Sequence, residues 1–155
     1  MRRLASLALT AAAACHSNGA PPDADEALAC IAAGRGETYA VGLTHTGATG
    51  ALTFKLMSAT PAPPGFNDNT WVVELSAAGS GSGTPVTGAT ITVTPFMPDH
   101  QHGTGIKAKV EAMATPGQYK IAPINLWMPG YWEITLDVQA GSVHDSSVFK
   151  FCIQA

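Results

Sequence analysis

Two histidines separated by one residue, His100 and His102, stand in the stretch "FMPDHQHGTG" of a 155-residue chain that has only five histidines. Their types and spacing fit three chemistries: metal ligation, proton transfer, or an ordinary polar turn. In a locally extended loop, residues i and i+2 point the same way, so both imidazoles address one point. Met97 lies close enough in sequence to add a thioether, and a second Met-Pro pair at Met128 recurs in "NLWMPGYW". Two imidazoles with one or two thioethers form a borderline-soft donor set, favouring copper over magnesium, calcium or manganese. Zinc more often recruits a carboxylate or thiolate, and Asp99 stands beside His100 for that role. The bland alternatives stay open. Loop histidines are commonly solvated, methionine fills irregular gaps in a core, and Trp127, Tyr131 and Trp132 suit core and rim packing. His45 and His144, each alone among Gly, Thr or Ser, read as surface residues.

The segments that must position these residues alternate with period two. "ALTFKLM" sets Leu52, Phe54 and Leu56 on one face, and "WVVEL" does the same with Trp71, Val73 and Leu75. "ATITVTP" opposes Ala89, Ile91 and Val93 to threonines, "IKAKVEA" opposes Ile106, Ala108 and Val110 to charges, and "WEITLDV" aligns Trp132, Ile134, Leu136 and Val138. Such runs, bounded by Gly, Pro, Asn and Ser, are half-buried antiparallel strands. Trp71, Ile91, Val93, Ile134, Leu136 and Phe151 are the expected core. No stretch after the N-terminal segment shows a helical period with caps. Seven to eight short strands in about 120 residues predict one all-β, immunoglobulin-like sandwich domain over residues 37–155. The run "AAGSGSGTPVTG" reads as a long hairpin loop, since no helix follows to make it a phosphate site.

The N-terminus "MRRLASLALTAAAAC" has two arginines, an apolar run and small residues before Cys15, the pattern of a bacterial export signal over residues 1–14. It is shorter than the roughly 20 apolar residues of a membrane span. Cys15 directly after "AAA" suggests lipidation, although Ala12 stands where leucine is usual; ordinary cleavage nearby is the alternative. Residues 15–36 then form the lipidated cysteine and a polar tether. The expected location is membrane-attached, facing the periplasm or cell exterior. Cleavage removes Arg2 and Arg3 and moves the formal charge from -3 to -5. Few and scattered basic residues leave no footprint for nucleic acid.

Cys30 and Cys152 remain near the two ends of the folded part. In an exported protein a disulfide is the simple expectation; thiol ligands or a redox pair usually bring close C-x-x-C spacing, which is absent. No G-x-S-x-G elbow occurs and the acidic residues are dispersed, so the chain reads as non-enzymatic.

The segments "GTPVTGATITVTPFMPDHQHGTG", "GQYKIAPINLWMPGYWEITLDV" and "SSVFKFCI" together resemble the YtkA-like domain family, related to the FixH proteins, over roughly residues 38–153. The resemblance implies a small extracytoplasmic β-sandwich. It places the family motif on Met97, Pro98, His100, His102 and Gly103, with Met128, Pro129 and Gly130 in the second loop. FixH relatives accompany copper-handling membrane machinery, which implies copper as the ligand and a protein partner in metal handling. A plain structural or protein-interaction module is the alternative.

Overall fold

The computed structural model describes residues 22–79 and 83–155. The export signal and Cys15 lie outside the described residues. One helix, α1 (Pro22–Ala32), precedes nine strands: β1 (Leu43–Thr46), β2 (Leu52–Thr60), β3 (Asn67–Ala77), β4 (Thr90–Met97), β5 (His102–Gly103), β6 (Lys109–Ala112), β7 (Gln118–Leu126), β8 (Gly130–Ala140) and β9 (Val143–Ile153). They form two antiparallel sheets, ordered β1-β2-β3-β7-β6 and β5-β4-β8-β9. This is the all-β sandwich expected from the period-two alternation. The count reaches nine because the two-residue β5 is too short to carry a periodic signal of its own, whereas β6 falls within the run "IKAKVEA".

Three of the alternating runs deliver their whole apolar face to the space between the sheets. Leu52, Phe54 and Leu56 of β2, Trp71, Val73 and Leu75 of β3, and Trp132, Ile134, Leu136 and Val138 of β8 are all buried. Trp71 stands edge-on to Phe149 and Phe151 of β9, with ring centres 5.8 and 5.7 Å apart, locking the two layers through aromatic contact. Five of the six expected core residues are buried, whereas Val93 is only half-buried beside the core. Ile106 is 48 % exposed because the chain joins β6 only at Lys109, so its place in an alternating run gave the wrong environment.

Two further expectations are corrected. The Gly/Ser-rich run does not join two paired strands, since β3 and β4 belong to different sheets; Thr84 and Val86 instead fold back to bond Ala77 and Leu75 at the end of β3 before the chain reaches β4. Tyr119 fixes the far side of that connection, donating to Val86 O at 2.9 Å and accepting from Ala89 N at 3.0 Å. Residues 22–32, read as part of the tether, form α1. Its sequence signals are proline at the first helical position, acidic residues in the first turn, and Gly34 just past the end. The last turn closes with Gly34 N–H donating to Ile31 O and Arg35 N–H to Cys30 O, the paired bonds of a Schellman stop. Ala27 and Cys30, three residues apart, form the buried face of a helix too short for its 3.6-residue period to stand out. The Cys30–Cys152 disulfide fastens α1 to β9. Closing a loop of 122 residues contributes about 5 kcal/mol on the chain-entropy model.

Asp145, 1 % exposed, is the polar joint of the sandwich. From β9 it accepts the N–H groups of Thr49, Ala51 and Leu52 in the β1–β2 connection, and that of Ser146, at 2.8 to 3.0 Å. Gly47 is required beneath it, since any Cβ there would overlap the carboxylate. Burial pushes the Asp145 carboxyl upward, but the N–H donors of Thr49, Leu52 and Ser146 outweigh it and hold the group below the usual range. The folded state therefore binds this proton more weakly than the unfolded chain. The stabilisation is complete above the ordinary carboxyl value of about 4 and is lost as pH falls through the lower folded value. Thermal melts should show Asp145→Asn destabilised by about 2 to 4 kcal/mol at neutral pH, with a flatter acid limb than the parent. Gly47→Ala should also lower the melting temperature.

Candidate metal site

The loop carrying His100 is pulled tight by β4 and β5, in which Met97 pairs with His102 and Phe96 with Gly103. Gln101 turns the chain with φ 55°, and His100 N–H donates to Met97 O at 3.3 Å. The tight turn puts the imidazoles side by side, with ring centres 5.6 Å apart and planes tilted by 48°. The second loop meets the first at the same end of the sandwich. Trp127 stacks on His102 at 5.2 Å and donates from Nε1 to Gly103 O at 3.4 Å. Trp132 approaches His102 edge-on and ties the loop's base by donating to Met128 O at 2.9 Å.

The two methionines take different positions. Met97 is fully buried within the hydrophobic core, while Met128 is half-buried against it. Gly130 makes room for Met97: its φ of 124° disfavours other residues, and an added Cβ would meet the Met97 methyl at 2.9 Å. The same point lies 3.5 Å from Glu26 Oε2 of α1. Glu26 in turn sits 2.6 Å from His100 Nε2. The Met97 methyl and the Glu26 carboxylate thus both border Gly130, and the carboxylate reaches on to the His100 imidazole. Sequence reasoning missed Glu26 because the contact spans 74 residues and depends on a helix that was not expected; its only local signal was its place in an acidic first turn.

Asp99, read as a ligand for zinc, is already engaged. Arg35 grips it with two bonds, at 2.5 and 2.8 Å, and lies 4.1 Å over the Tyr131 ring. That grip holds the Asp99 carboxyl below its ordinary range, against an opposing effect of burial. His45 is not the surface residue its neighbours suggested. Its side chain is 18 % exposed, stacks on Phe149 at 4.4 Å, and contacts Glu37 at 2.7 Å and Ser147 Oγ at 3.2 Å. The Ser147–His45–Glu37 connectivity is that of a nucleophile with its base, but Ser147 is buried between the sheets, so the set latches their open edge. His144 is exposed, beside Asp137.

The geometry can be set against copper. A metal–nitrogen bond of about 2 Å puts each ring centre roughly 3 Å from the ion, so two imidazoles on one ion have centres up to about 6 Å apart. The observed 5.6 Å falls inside that limit. His102 Nδ1 lies 3.1 Å from Gly103 O. Because a carbonyl only accepts, the proton is assigned to Nδ1, leaving the Nε2 lone pair for a ligand. Among the described residues no group of three or more His, Cys, Asp and Glu side chains is arranged to hold a metal ion. The soft donors of the two loops beside the imidazoles are the thioethers of Met97 and Met128.

The YtkA-like family model matches residues 48–137, including both loops. The chain belongs to the YtkA-like family. No curated protein matches it. Among solved structures, a copper-bound variant of FetP from uropathogenic Escherichia coli strain F11 is 13 % identical, covering 74 % of this chain and 96 % of that one with a TM-score of 0.46. In this YtkA-like chain, α1, Arg35 and both disulfide cysteines lie outside the matched segment.

Tyr131, between Arg35 and Glu133, offers a spectroscopic handle on this end of the sandwich. Burial, then donation to Glu133 Oε1 at 2.9 Å and the charge of that carboxylate, push its phenol up to about 12. The raised value stabilises the fold fully below the ordinary phenol value of about 10 and is lost as pH rises through about 12. In ultraviolet titration, Tyr131→Phe should remove the latest tyrosinate step, and Glu133→Gln should move that step to lower pH.

Proposed function

We propose that this YtkA-like protein is a non-catalytic copper-binding accessory protein acting outside the cytoplasm, attached to a bacterial membrane through a lipid on Cys15. The observation that carries the reading is the placement of His100 and His102 at 5.6 Å, the second with its Nε2 lone pair left available. Met128, half-buried in the adjoining loop, offers a thioether at the same end of the sandwich. A soft thioether favours Cu(I), whereas imidazole accepts both oxidation states. The Cys30–Cys152 disulfide accords with an oxidising compartment. Attachment is assigned to Cys15 on the expected export signal; no helix among the described residues is long and apolar enough to cross a membrane. Copper would reach or leave the site through a partner in metal handling.

Titration calorimetry of the purified chain with Cu(I), Cu(II) and Zn(II) tests this directly. His100→Ala and His102→Ala should each lower Cu(II) affinity at least about tenfold, a change of about 1.4 kcal/mol, with little effect on melting. Affinity should decline on acidification, because only neutral imidazole ligates. Met128→Leu should spare stability and weaken Cu(I) alone. The second reading, an interaction module without metal, is favoured by the complete burial of Met97. It requires that the parent bind no copper and that Met97→Ala cost about 2 to 5 kcal/mol of stability without altering any ligand.

A further inference from the structure

The helix that precedes the family-matched segment ends against the candidate site, and its contact with His100 has a chemical consequence. We infer that Glu26 is a positioning residue for the copper ligand His100, and that the Cys30–Cys152 disulfide is the strut that keeps Glu26 in place. The inference rests on the copper-binding reading above and deepens it.

An ionised carboxylate has acceptors only. With Glu26 Oε2 2.6 Å from His100 Nε2, the ring proton is assigned to Nε2, and the lone pair is left on Nδ1. His102 is fixed in the opposite sense by the Gly103 carbonyl. Both imidazoles thus carry the outer partner that metal-bound histidines typically have, one a carboxylate and one a backbone carbonyl. The Glu26 and His100 side chains are 45 % and 28 % exposed, so their pairing adds little to stability. Its effect is on which nitrogen faces a ligand and on how far the ring swings.

What holds Glu26 there is α1. The helix packs on β8 and β9, burying Ala27 and Cys30 on the face next to Glu26. Cys30, one turn beyond Glu26, is bonded to Cys152 of β9. Gly36 lets the following chain lie against that bridge, since a Cβ there would meet Cys152 Sγ at 2.9 Å. The Arg35–Asp99 pair then ties the end of the helix to the histidine loop itself. An eleven-residue helix is too short to persist by its own propensity, so its position depends on these attachments.

The test measures Cu(II) affinity of the full mature chain together with the nitrogen chemical shifts of His100, in the metal-free protein and with Cu(I) bound. Glu26→Ala should weaken copper binding about 10- to 100-fold. Glu26→Gln, which retains an acceptor, should recover part of that loss. In the metal-free parent, His100 should carry its proton on Nε2, and with Cu(I) the bound nitrogen should be Nδ1. A purely structural role for Glu26 would move neither shift. The Cys30→Ser/Cys152→Ser variant should lose affinity as Glu26→Ala does, and combining the two should add little, because they act through one contact. Where the disulfide-free variant does not fold, Glu26→Ala alone decides. Unchanged affinity in Glu26→Ala, or a parent whose His100 binds copper through Nε2, overturns the positioning role while leaving the copper site intact. A parent that binds no copper overturns both readings.

Discussion

The whole sandwich, the end with the candidate site included, rests on how the two sheets are held face to face. Trp71 fills the centre of one layer and meets Phe149 and Phe151 of the other edge-on, so neither sheet can slide without separating large aromatic surfaces. Asp145 fixes the same relation with directional bonds, carrying four backbone N–H groups of two strand ends on one carboxylate. Apolar packing supplies the bulk of the stabilisation and does not specify direction. The carboxylate adds direction, since a shifted β1–β2 turn leaves buried donors and a charge without partners. His45, stacked on Phe149 and held by Glu37 and Ser147, closes the edge between β1 and β9 in the same manner.

At the other end the fold leaves a different kind of order. The histidine loop is a short turn between β4 and a two-residue strand, backed by a core methionine and covered by Trp127. The imidazoles are oriented by hydrogen bonds and by neighbouring rings. Those neighbours come from three separate parts of the chain: Glu26 and Arg35 from the N-terminal segment, Trp127 and Gly130 from the β7–β8 connection, and Gly103 from the loop itself. The disulfide makes the first of these permanent by replacing the weak persistence of a short helix with a covalent bond.

The strands of the sandwich could be read from the chain because a pleated strand with one wet face imposes a period of two on its own residues. The runs through Leu52, Trp71 and Trp132 show this, with inward side chains fully buried and their neighbours half-exposed. The same logic failed at Ile106, where alternation continues past the end of the strand. It could not show that β3 and β4 lie in different sheets, because a crossing and a hairpin loop have similar composition. Helix α1 was missed since one short buried stripe, Ala27 and Cys30, is a weak periodic signal beside a Pro- and Asp-rich lead.

The candidate site divides along the same line. His100, His102, Met97 and Met128 were visible from residue type and near-neighbour spacing, and Cys30 and Cys152 from number and compartment, because these are properties of the chain itself. The sequence by itself thus determined the alternating strands, the side chains with ligand chemistry and the pair of cysteines. Tertiary structure alone decided that Asp99 belongs to Arg35, that Met97 is sealed in the core, that His45 is a latch, and that Glu26 reaches His100. The physical reason is distance along the chain. Local pattern is set by the backbone period, whereas hydrogen-bond partners are chosen by packing between segments whose sequences carry no record of one another.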